Sequence, residues 1–265
     1  MSATKELTVG NPLPLIIKFA LPLLLGNMLQ QTYSMVDAAI VGRTLGINAL
    51  AAVGASTSVV FLILGFCNGC CGGFAIPIAQ KFGARDYSVM RSYIHNAFKL
   101  AWIMSLLLAV ITSLLCGFIL HTMRTPDIIY DGAYAYLLAT FIGIPATLFY
   151  NLLSCVIRAL GDSKTPFWFL LLASVLNIGL DLLFILTFQW GVTGAAVATV
   201  LSQAVSAILC YMYMQRKYDI LQSTPAERCL NARAIRTLLG VGVPMGLQFS
   251  ITAIGSIMLQ SSNTA

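Results

Sequence analysis

The sequence predicts an all-α, polytopic membrane protein, and two observations carry that prediction. Hydrophobic residues make up 58% of the 265 residues and charged residues only 9%, whereas a soluble domain has about 25% charged residues. The chain cannot cover itself with a polar surface, which excludes a soluble globular protein and a disordered chain. Seven apolar runs are each long enough to cross a bilayer, which takes about 20 helical residues. They lie at about 14–42, 48–80, 92–122, 127–157, 166–188, 192–214 and 235–265.

Prolines and hydroxyl residues mark the ends of several runs. The first run is too long for a cleavable signal peptide, and no small-residue cleavage site follows a short core. Thr125-Pro126 and Thr165-Pro166 each place a hydroxyl N-cap before a proline at the first helical position, which predicts the starts of the fourth and fifth spans. Three further prolines lie inside spans, where we expect them to kink the helices: Pro22, Pro145 and Pro244.

The basic residues of the loops lie mostly on one side of the predicted membrane. Eleven Lys and Arg fall on that side, whereas the opposite loops hold only Arg43 and Arg124. The positive-inside rule therefore places the N-terminus in the cytoplasm. Membrane topology accounts for the net charge of +6 better than nucleic-acid binding does. The eleven are Lys5, Lys81, Arg85, Arg91, Arg158, Lys164, Arg216, Lys217, Arg228, Arg233 and Arg236.

The seventh run resembles the first, because each has an early proline, at Pro22 and Pro244. We therefore divide the chain into a six-helix transmembrane lobe (1–214), a basic cytoplasmic linker (215–234) and a seventh helix (235–265) that begins a second, similar set. Since the sequence stops in or just after that helix, we expect the chain to be truncated.

Six of the seven cysteines lie inside apolar runs, which indicates packing residues and not a disulfide framework. The cluster of Cys67, Cys70 and Cys71 has one metal-like spacing, but no His lies near it in the sequence. We expect no bound metal there.

Two acids lie deep inside predicted spans, Asp37 in the first and Asp181 in the fifth. A central Asp costs roughly 2.5–3.5 kcal/mol on insertion scales, so it faces the bundle interior or water and is a hypothesis for a functional site. The alternative is a structural acid that is held by hydrogen bonds.

Four spans each carry one polar face at helical spacing. For a single helix, polar contacts between helices are the simpler explanation, but four such faces together favour a shared cavity. We expect Gln30, Ser34, Asn151 and Gln203 to line it. The faces are Asn27, Gln30, Ser34 and Asp37; Tyr136, Thr140, Thr147, Asn151 and Ser154; Asn177 and Asp181; and Thr199, Gln203 and Ser206.

The two acids have compatible depths. At about 1.5 Å per residue, Asp37, Asp181, Tyr136 and Thr199 all lie within roughly 7–14 Å of the outer boundary, with Asn177 one turn deeper. Two carboxylates in one pocket of low dielectric constant cannot both stay ionised cheaply, so the pair would hold a proton or a cation. The neighbouring amide and hydroxyl oxygens add hard ligands for a small monovalent cation. The sequence therefore predicts a coupling-ion site.

Four segments resemble the MATE (multidrug and toxic compound extrusion) transporters, and together the resemblance covers nearly the whole chain. Segment 30–37 (QQTYSMVD), followed by Val41-Gly42, is similar to their first helix, and 158–166 (RALGDSKTP) is similar to their loop between helices 4 and 5. Segments 176–181 (LNIGLD) and 191–199 (GVTGAAVAT) are similar to helix 5 and the start of helix 6.

The resemblance implies a twelve-helix fold of two six-helix lobes, of which this chain would hold the first lobe and the first helix of the second. It implies antiport of organic cations or other amphipathic small molecules against H⁺ or Na⁺ by alternating access, with no other cofactor and no enzymatic activity. In the DinF-like prokaryotic branch, the coupling-ion cluster maps onto Asp37, Asn177, Asp181, Thr199 and Tyr136, and Na⁺ would bind at the first four.

The same resemblance implies a multi-pass protein of a bacterial or archaeal cytoplasmic membrane, monomeric at full length and with small molecules and the lipid bilayer as its partners. Ion binding at the acid pair would let the first helix bend near Pro22 and expel the substrate.

Three alternatives stay open from the sequence. A seven-span receptor fits the number of spans but not the cytoplasmic N-terminus. An intramembrane aspartyl protease needs a Gly-x-Gly-Asp motif in a span, whereas Gly161-Asp162 follows Ala159 in a basic loop. A lipid-linked sugar flippase of the same superfamily would need more basic residues in the lobe cavity, and the second and sixth spans carry none.

Overall fold

The computed structural model describes residues 11–221, 227 and 229–262, and the regular structure in this part is helical throughout. A π-helical turn at Leu183–Thr187 extends the sixth helix, and a short 3-10 turn spans Asp219–Leu221. The helices are α1 (Pro12–Leu45), α2 (Ile47–Gly83), α3 (Tyr87–Thr122), α4 (Asp127–Ile142), α5 (Ile144–Ala159), α6 (Lys164–Leu182), α7 (Gly191–Lys217) and α8 (Ala232–Ser262).

Six of these helices are long and apolar enough to cross a membrane, and the bent pair α4–α5 meets the same criteria when its two helices are taken together as one span. The predicted all-α, polytopic membrane fold is therefore confirmed. The predicted fourth span is two helices that meet at 49°. Pro145, in the first turn of α5, has no backbone N–H to continue the ladder of α4. Pro22 and Pro244, in contrast, lie inside continuous helices.

Gly143 lies between the two bent helices and faces α7. A Cβ atom at this position would overlap the side chain of Val200. Glycine therefore lets α7 approach the break closely, and the bend is part of how these three helices pack.

The helix α2 runs through the main hydrophobic core and packs against α1, α3, α4, α5 and α8. Its buried Cys70, Cys71 and Phe74 belong to the same core as Leu152 and Leu153 of α5. The buried cysteines are free thiols. Within the described ranges, no three His, Cys, Asp or Glu converge as they would around a metal ion. The cysteines therefore contribute to packing.

The contact between α2 and α8 brings two backbones together. A Cβ atom on Gly69 would lie 2.7 Å from the Cα atom of Gly246, and one on Gly73 would lie 2.5 Å from the Cα atom of Gly242. Each helix thus presents two glycines four positions apart, which is the spacing of close helix crossings in membranes. The crossing of α2 and α8 has no room for a side chain at these positions.

The start of α6 is capped by Asp162, where the sequence predicted Thr165. The Asp162 Oδ1 atom accepts hydrogen bonds from the backbone N–H groups of Lys164 (2.9 Å) and Thr165 (3.1 Å), and Oδ2 accepts from the hydroxyls of Thr165 (2.7 Å) and Tyr218 (2.8 Å). At α4, Pro126 is the N-cap residue, and the Thr125 hydroxyl makes no hydrogen bond to any residue that the structure describes. The prediction of threonine caps was wrong at both helices.

We expect Asp162→Ala to destabilise the chain by about 1–2 kcal/mol at neutral pH, because the substitution removes the cap of α6. Burial alone would raise the pKa of the Asp162 carboxyl, but the hydrogen bonds from Thr165, Tyr218 and Lys164 outweigh it and hold the pKa below the ordinary value of 3.8. The carboxylate therefore contributes stability above that pH, and the contribution is lost as the pH falls through the lowered pKa.

Thermal unfolding in detergent, followed by helical circular dichroism, measures this difference. The gap between wild type and Asp162→Ala should be widest near about pH 7 and should close as the pH falls below about 4. Tyr218→Phe removes only one of the hydrogen bonds and should cost less than Asp162→Ala. A gap that is the same at both pH values would contradict the role of the charged carboxylate.

Candidate functional site

A cavity of about 490 Å³, lined by both polar and apolar side chains, lies between α1, α2 and the helices α4 to α7. On the bent pair, Tyr136 and Thr140 of α4 and Thr147 and Asn151 of α5 all line it, so the bend does not interrupt the predicted polar face. The predicted residues that line the cavity are Gln30, Ser34, Asp37, Tyr136, Asn151, Asn177, Thr199 and Gln203. The fully buried side chains from the same faces are Ser154, Asp181 and Ser206.

The carboxyl groups of Asp37 and Asp181 meet at one end of this cavity. Asp37 is half-buried and lines the cavity, whereas Asp181 is fully buried. The two groups are close enough to interact directly. Both carboxyl oxygens of Asp181 and the Oδ1 atom of Asp37 accept no hydrogen bond from any other described residue. Two neighbouring carboxylates that accept no hydrogen bonds are unfavourable when both are charged. Binding one proton or one cation would stabilise the pair.

Asn177 and Thr199 add two further oxygen atoms beside the acid pair. Asn177 is buried one turn before Asp181, and its Nδ2 atom donates to the Thr199 hydroxyl at 3.1 Å. The Thr199 hydroxyl donates in turn to the backbone carbonyl of Ala195 at 3.1 Å. The Asn177 Oδ1 atom is buried and has no donor in the described part of the chain. A bound proton or cation beside the acid pair would satisfy this amide oxygen as well.

Two tyrosines lie beside the acid pair. Tyr136 of α4 lies near Asp37 and Asp181, as its predicted depth requires. Tyr33 of α1 lies near both acids and contacts Gln203 of α7, and it was not predicted. Tyr33 precedes Asp37 by one helical turn, and this spacing is the signal in the sequence that could have identified it.

The structure thus brings together the five residues that were predicted to bind a coupling ion, and their role in ion binding stays a prediction. The group offers carboxylate, amide and hydroxyl oxygens, which suit a proton or a small hard cation. With only two carboxylates, a monovalent cation would need the Asn177 and Thr199 oxygens to complete its ligands.

The other end of the cavity is lined by residues that were not predicted from the sequence. Arg158 of α5 lines this end, together with Ser163 of the loop before α6. Tyr150 lies between the two ends, near both Arg158 and Tyr33. Arg158 belongs to the loop segment that the sequence predicts to be cytoplasmic. Arg158 continues the polar face of Asn151 and Ser154 at helical spacing. That spacing is the signal that could have identified it, although it lies one residue beyond the predicted span.

Comparisons with known proteins agree on one family. The family model described as MatE matches residues 22–183. The "Probable multidrug resistance protein YpnP" of Bacillus subtilis (strain 168) is 34% identical over 256 residues, which are 97% of this chain and 57% of that relative. The chain therefore spans little more than half the length of the curated relatives it matches.

Two solved structures show the likeness in three dimensions. The outward-facing conformation of a multidrug resistance MATE family transporter of the MOP superfamily matches 98% of this chain and 58% of its own, with a TM-score of 0.90 and 26% identity. The inward-facing conformation of such a transporter matches 85% of this chain and 51% of its own, with a TM-score of 0.78 and 27% identity.

Proposed function

The chain belongs to the MatE family of membrane transporters, and from that premise we propose that it forms the ion-coupling lobe of an exporter of organic cations and other amphipathic molecules. The coupling ion would be H⁺ or Na⁺, bound at Asp37, Asp181, Asn177 and Thr199 with Tyr136 beside them. The names of the relatives, which refer to multidrug resistance, support the substrate class.

One observation supports the coupling role above the others. The buried acid pair and the Asn177 amide present acceptor oxygens that no described donor satisfies. Buried polar atoms of folded proteins nearly always have a partner. A bound proton or cation supplies it, and its release leaves two interacting carboxylates that favour a different arrangement of α1 and α6.

The packing of α1 suits a helix that moves during transport. Near its Asp37 end, Val41 is fully buried in a small core with Val53 and Ile185. Elsewhere along α1 the apolar side chains are exposed on both sides of Pro22, for example Leu13 at 69% and Met35 at 73%. Since few buried contacts of the described residues hold α1, a bend near Pro22 costs little packing within this lobe, and ion binding at Asp37 would control it.

The arrangement in the membrane follows from the charges of the loops. We propose that the N-terminus lies in the cytoplasm and that the acid pair lies toward the outer face of a bacterial or archaeal cytoplasmic membrane. The higher similarity to the outward-facing solved structure supports an outward-facing arrangement of this lobe. We propose a monomer as the working unit.

The lipid-linked sugar flippase is less well supported. Such a protein was expected to have a basic cavity, and Arg158 is the only Lys or Arg among the described lining residues. The acid pair has no evident use in that activity.

Efflux from cells that lack their own multidrug exporters tests the proposal. The cells would express either this chain alone or a chimera in which the C-terminal part of the 34% identical relative continues it. We expect the chimera to export a fluorescent organic cation when a pH or Na⁺ gradient is imposed, and to stop when an ionophore collapses that gradient. If the chimera exports the cation at the same rate with and without the pH and Na⁺ gradients, ion coupling is contradicted.

A further inference from the structure

Arg158 gives the cavity a basic end opposite its acidic one. It lies in the last turn of α5 and lines the cavity. Tyr136, beside the acid pair, lies on α4 of the same bent pair. The stretch from Tyr136 to Arg158 corresponds to roughly 30 Å of helix at about 1.5 Å per residue. The two ends are therefore far enough apart for one elongated molecule to meet both.

The guanidinium group of Arg158 has no counter-charge in the described part of the chain. The side chain is half-buried, and its Nε atom is buried without a hydrogen-bond acceptor. A buried N–H group without an acceptor is costly, because water no longer satisfies it. A bound anionic group would supply the acceptor that the described residues do not.

Asp162 is the acid closest to Arg158 in the sequence, but its carboxylate is already engaged. Both of its oxygens accept hydrogen bonds from the start of α6, and Oδ2 also accepts from the Tyr218 hydroxyl. Turning this carboxylate toward Arg158 would remove the cap of α6. Asp162 therefore stabilises the start of α6 and does not neutralise Arg158, which lines the cavity.

The surroundings of Arg158 combine polar and apolar surface. Asn151 and Ser163 line the cavity near it, and Phe167 and Leu170 of α6 add apolar side chains to the same wall. The planar guanidinium group binds carboxylate, sulfonate or phosphate groups through parallel hydrogen bonds. We propose that Arg158 forms a subsite for the anionic group of an amphipathic molecule whose apolar body lies along Phe167 and Leu170. The inference rests on the proposed function only in treating the cavity as a ligand site.

Two fluorescent probes that share one apolar body test this subsite. Dansylglycine carries a carboxylate, and dansylamide carries no charge. We expect the chain in phosphatidylcholine nanodiscs to bind dansylglycine more tightly than dansylamide. Arg158→Gln should weaken dansylglycine binding roughly tenfold and leave dansylamide binding within about twofold, because only the charged contact is removed.

Matched variants separate the contact from a general effect of charge. Lys164→Gln removes the same charge from an exposed position six residues away and should change neither affinity. Arg158→Lys keeps the charge without the planar group and should give an intermediate affinity for dansylglycine. Equal affinity of the wild type for the two probes would overturn the proposal, as would equal losses in Arg158→Gln and Lys164→Gln. The wild-type comparison and Arg158→Lys still decide the matter if Arg158→Gln does not fold.

The anionic group could come from a lipid or from a soluble molecule, and the lipid composition distinguishes them. If phosphatidylglycerol in the nanodiscs displaces dansylglycine from the wild type, the natural ligand is an anionic lipid headgroup; if it does not, the ligand is soluble. Both results support the subsite. Failure of the chimera to export cations, with binding that still depends on Arg158, would refute the transport function alone. Export without dependence of binding on Arg158 would refute this subsite alone.

Discussion

Asp181→Asn should reduce ion-driven efflux by the chimera to background, and Asp37→Asn should do the same. Each substitution leaves an amide where the pair needs a group that can gain and lose a proton or hold a cation. Asp181 is fully buried, and neither of its carboxyl oxygens has a hydrogen-bond partner among the described residues. Efflux of a fluorescent cation under an imposed pH or Na⁺ gradient measures the loss.

A second measurement distinguishes this loss from misfolding. Burying a neutral amide costs less than burying a carboxylate, so Asp181→Asn should unfold at the same temperature as the wild type or a higher one. Asp131→Asn removes an acid from an exposed position on α4 and should leave efflux unchanged. Wild-type efflux in both Asp37→Asn and Asp181→Asn would refute the assignment of the coupling site.

Gly73→Ala should destabilise the chain by about 1–3 kcal/mol or more, because overpacking forces neighbouring groups to move. The new Cβ atom would lie 2.5 Å from the Cα atom of Gly242, and backbone atoms of α8 surround the position. The two helices would have to separate to admit one methyl group. Thermal unfolding in detergent measures the loss, and cross-linking between cysteines introduced on α2 and α8 reports the separation.

Gly54→Ala provides the control on the same helix, because nothing lies within 4 Å of a Cβ atom there. Alanine is the better helix former, so this variant should be as stable as the wild type or slightly more stable. Equal stability of Gly73→Ala and Gly54→Ala would show that α2 and α8 do not cross closely at Gly73.

The sequence predicts the acid pair and most of the cavity because burial of polar groups in a membrane is so costly. An Asp at the centre of a span must face the bundle interior or water. The polar faces at helical spacing then identify Asn177, Thr199 and Tyr136 as residues that share its surroundings. The helical rise predicts that Thr199 and Tyr136 lie at the depth of the acids and that Asn177 lies one turn deeper, and the structure brings these residues together. The face and the depth of each of these residues depend only on its position within its own helix.

The features that the sequence did not reveal depend on which helices are neighbours. Tyr33 contacts Gln203 because α1 and α7 meet, and Arg158 lines the cavity because α5 ends beside α6. The break at Gly143 requires both Pro145 and the approach of α7, and the second of these is a tertiary contact. The sequence did not predict Asp162 as the cap of α6, because both Asp162 and Thr165 are residue types that cap helices. Only the folded backbone shows which of the two accepts the hydrogen bonds.

The break at Gly143 also has a consequence for the size of the molecules that the cavity can hold. Tyr136 and Arg158 are carried by two straight segments, α4 and α5, that meet at 49°. A straighter pair would move the arginine away from the acids, and a sharper bend would bring it closer. Val200 of α7 packs against Gly143, and Pro145 prevents α4 from continuing into α5 as one straight helix. The length of a ligand that reaches both charged ends therefore depends on this proline and on the packing of one valine against one glycine.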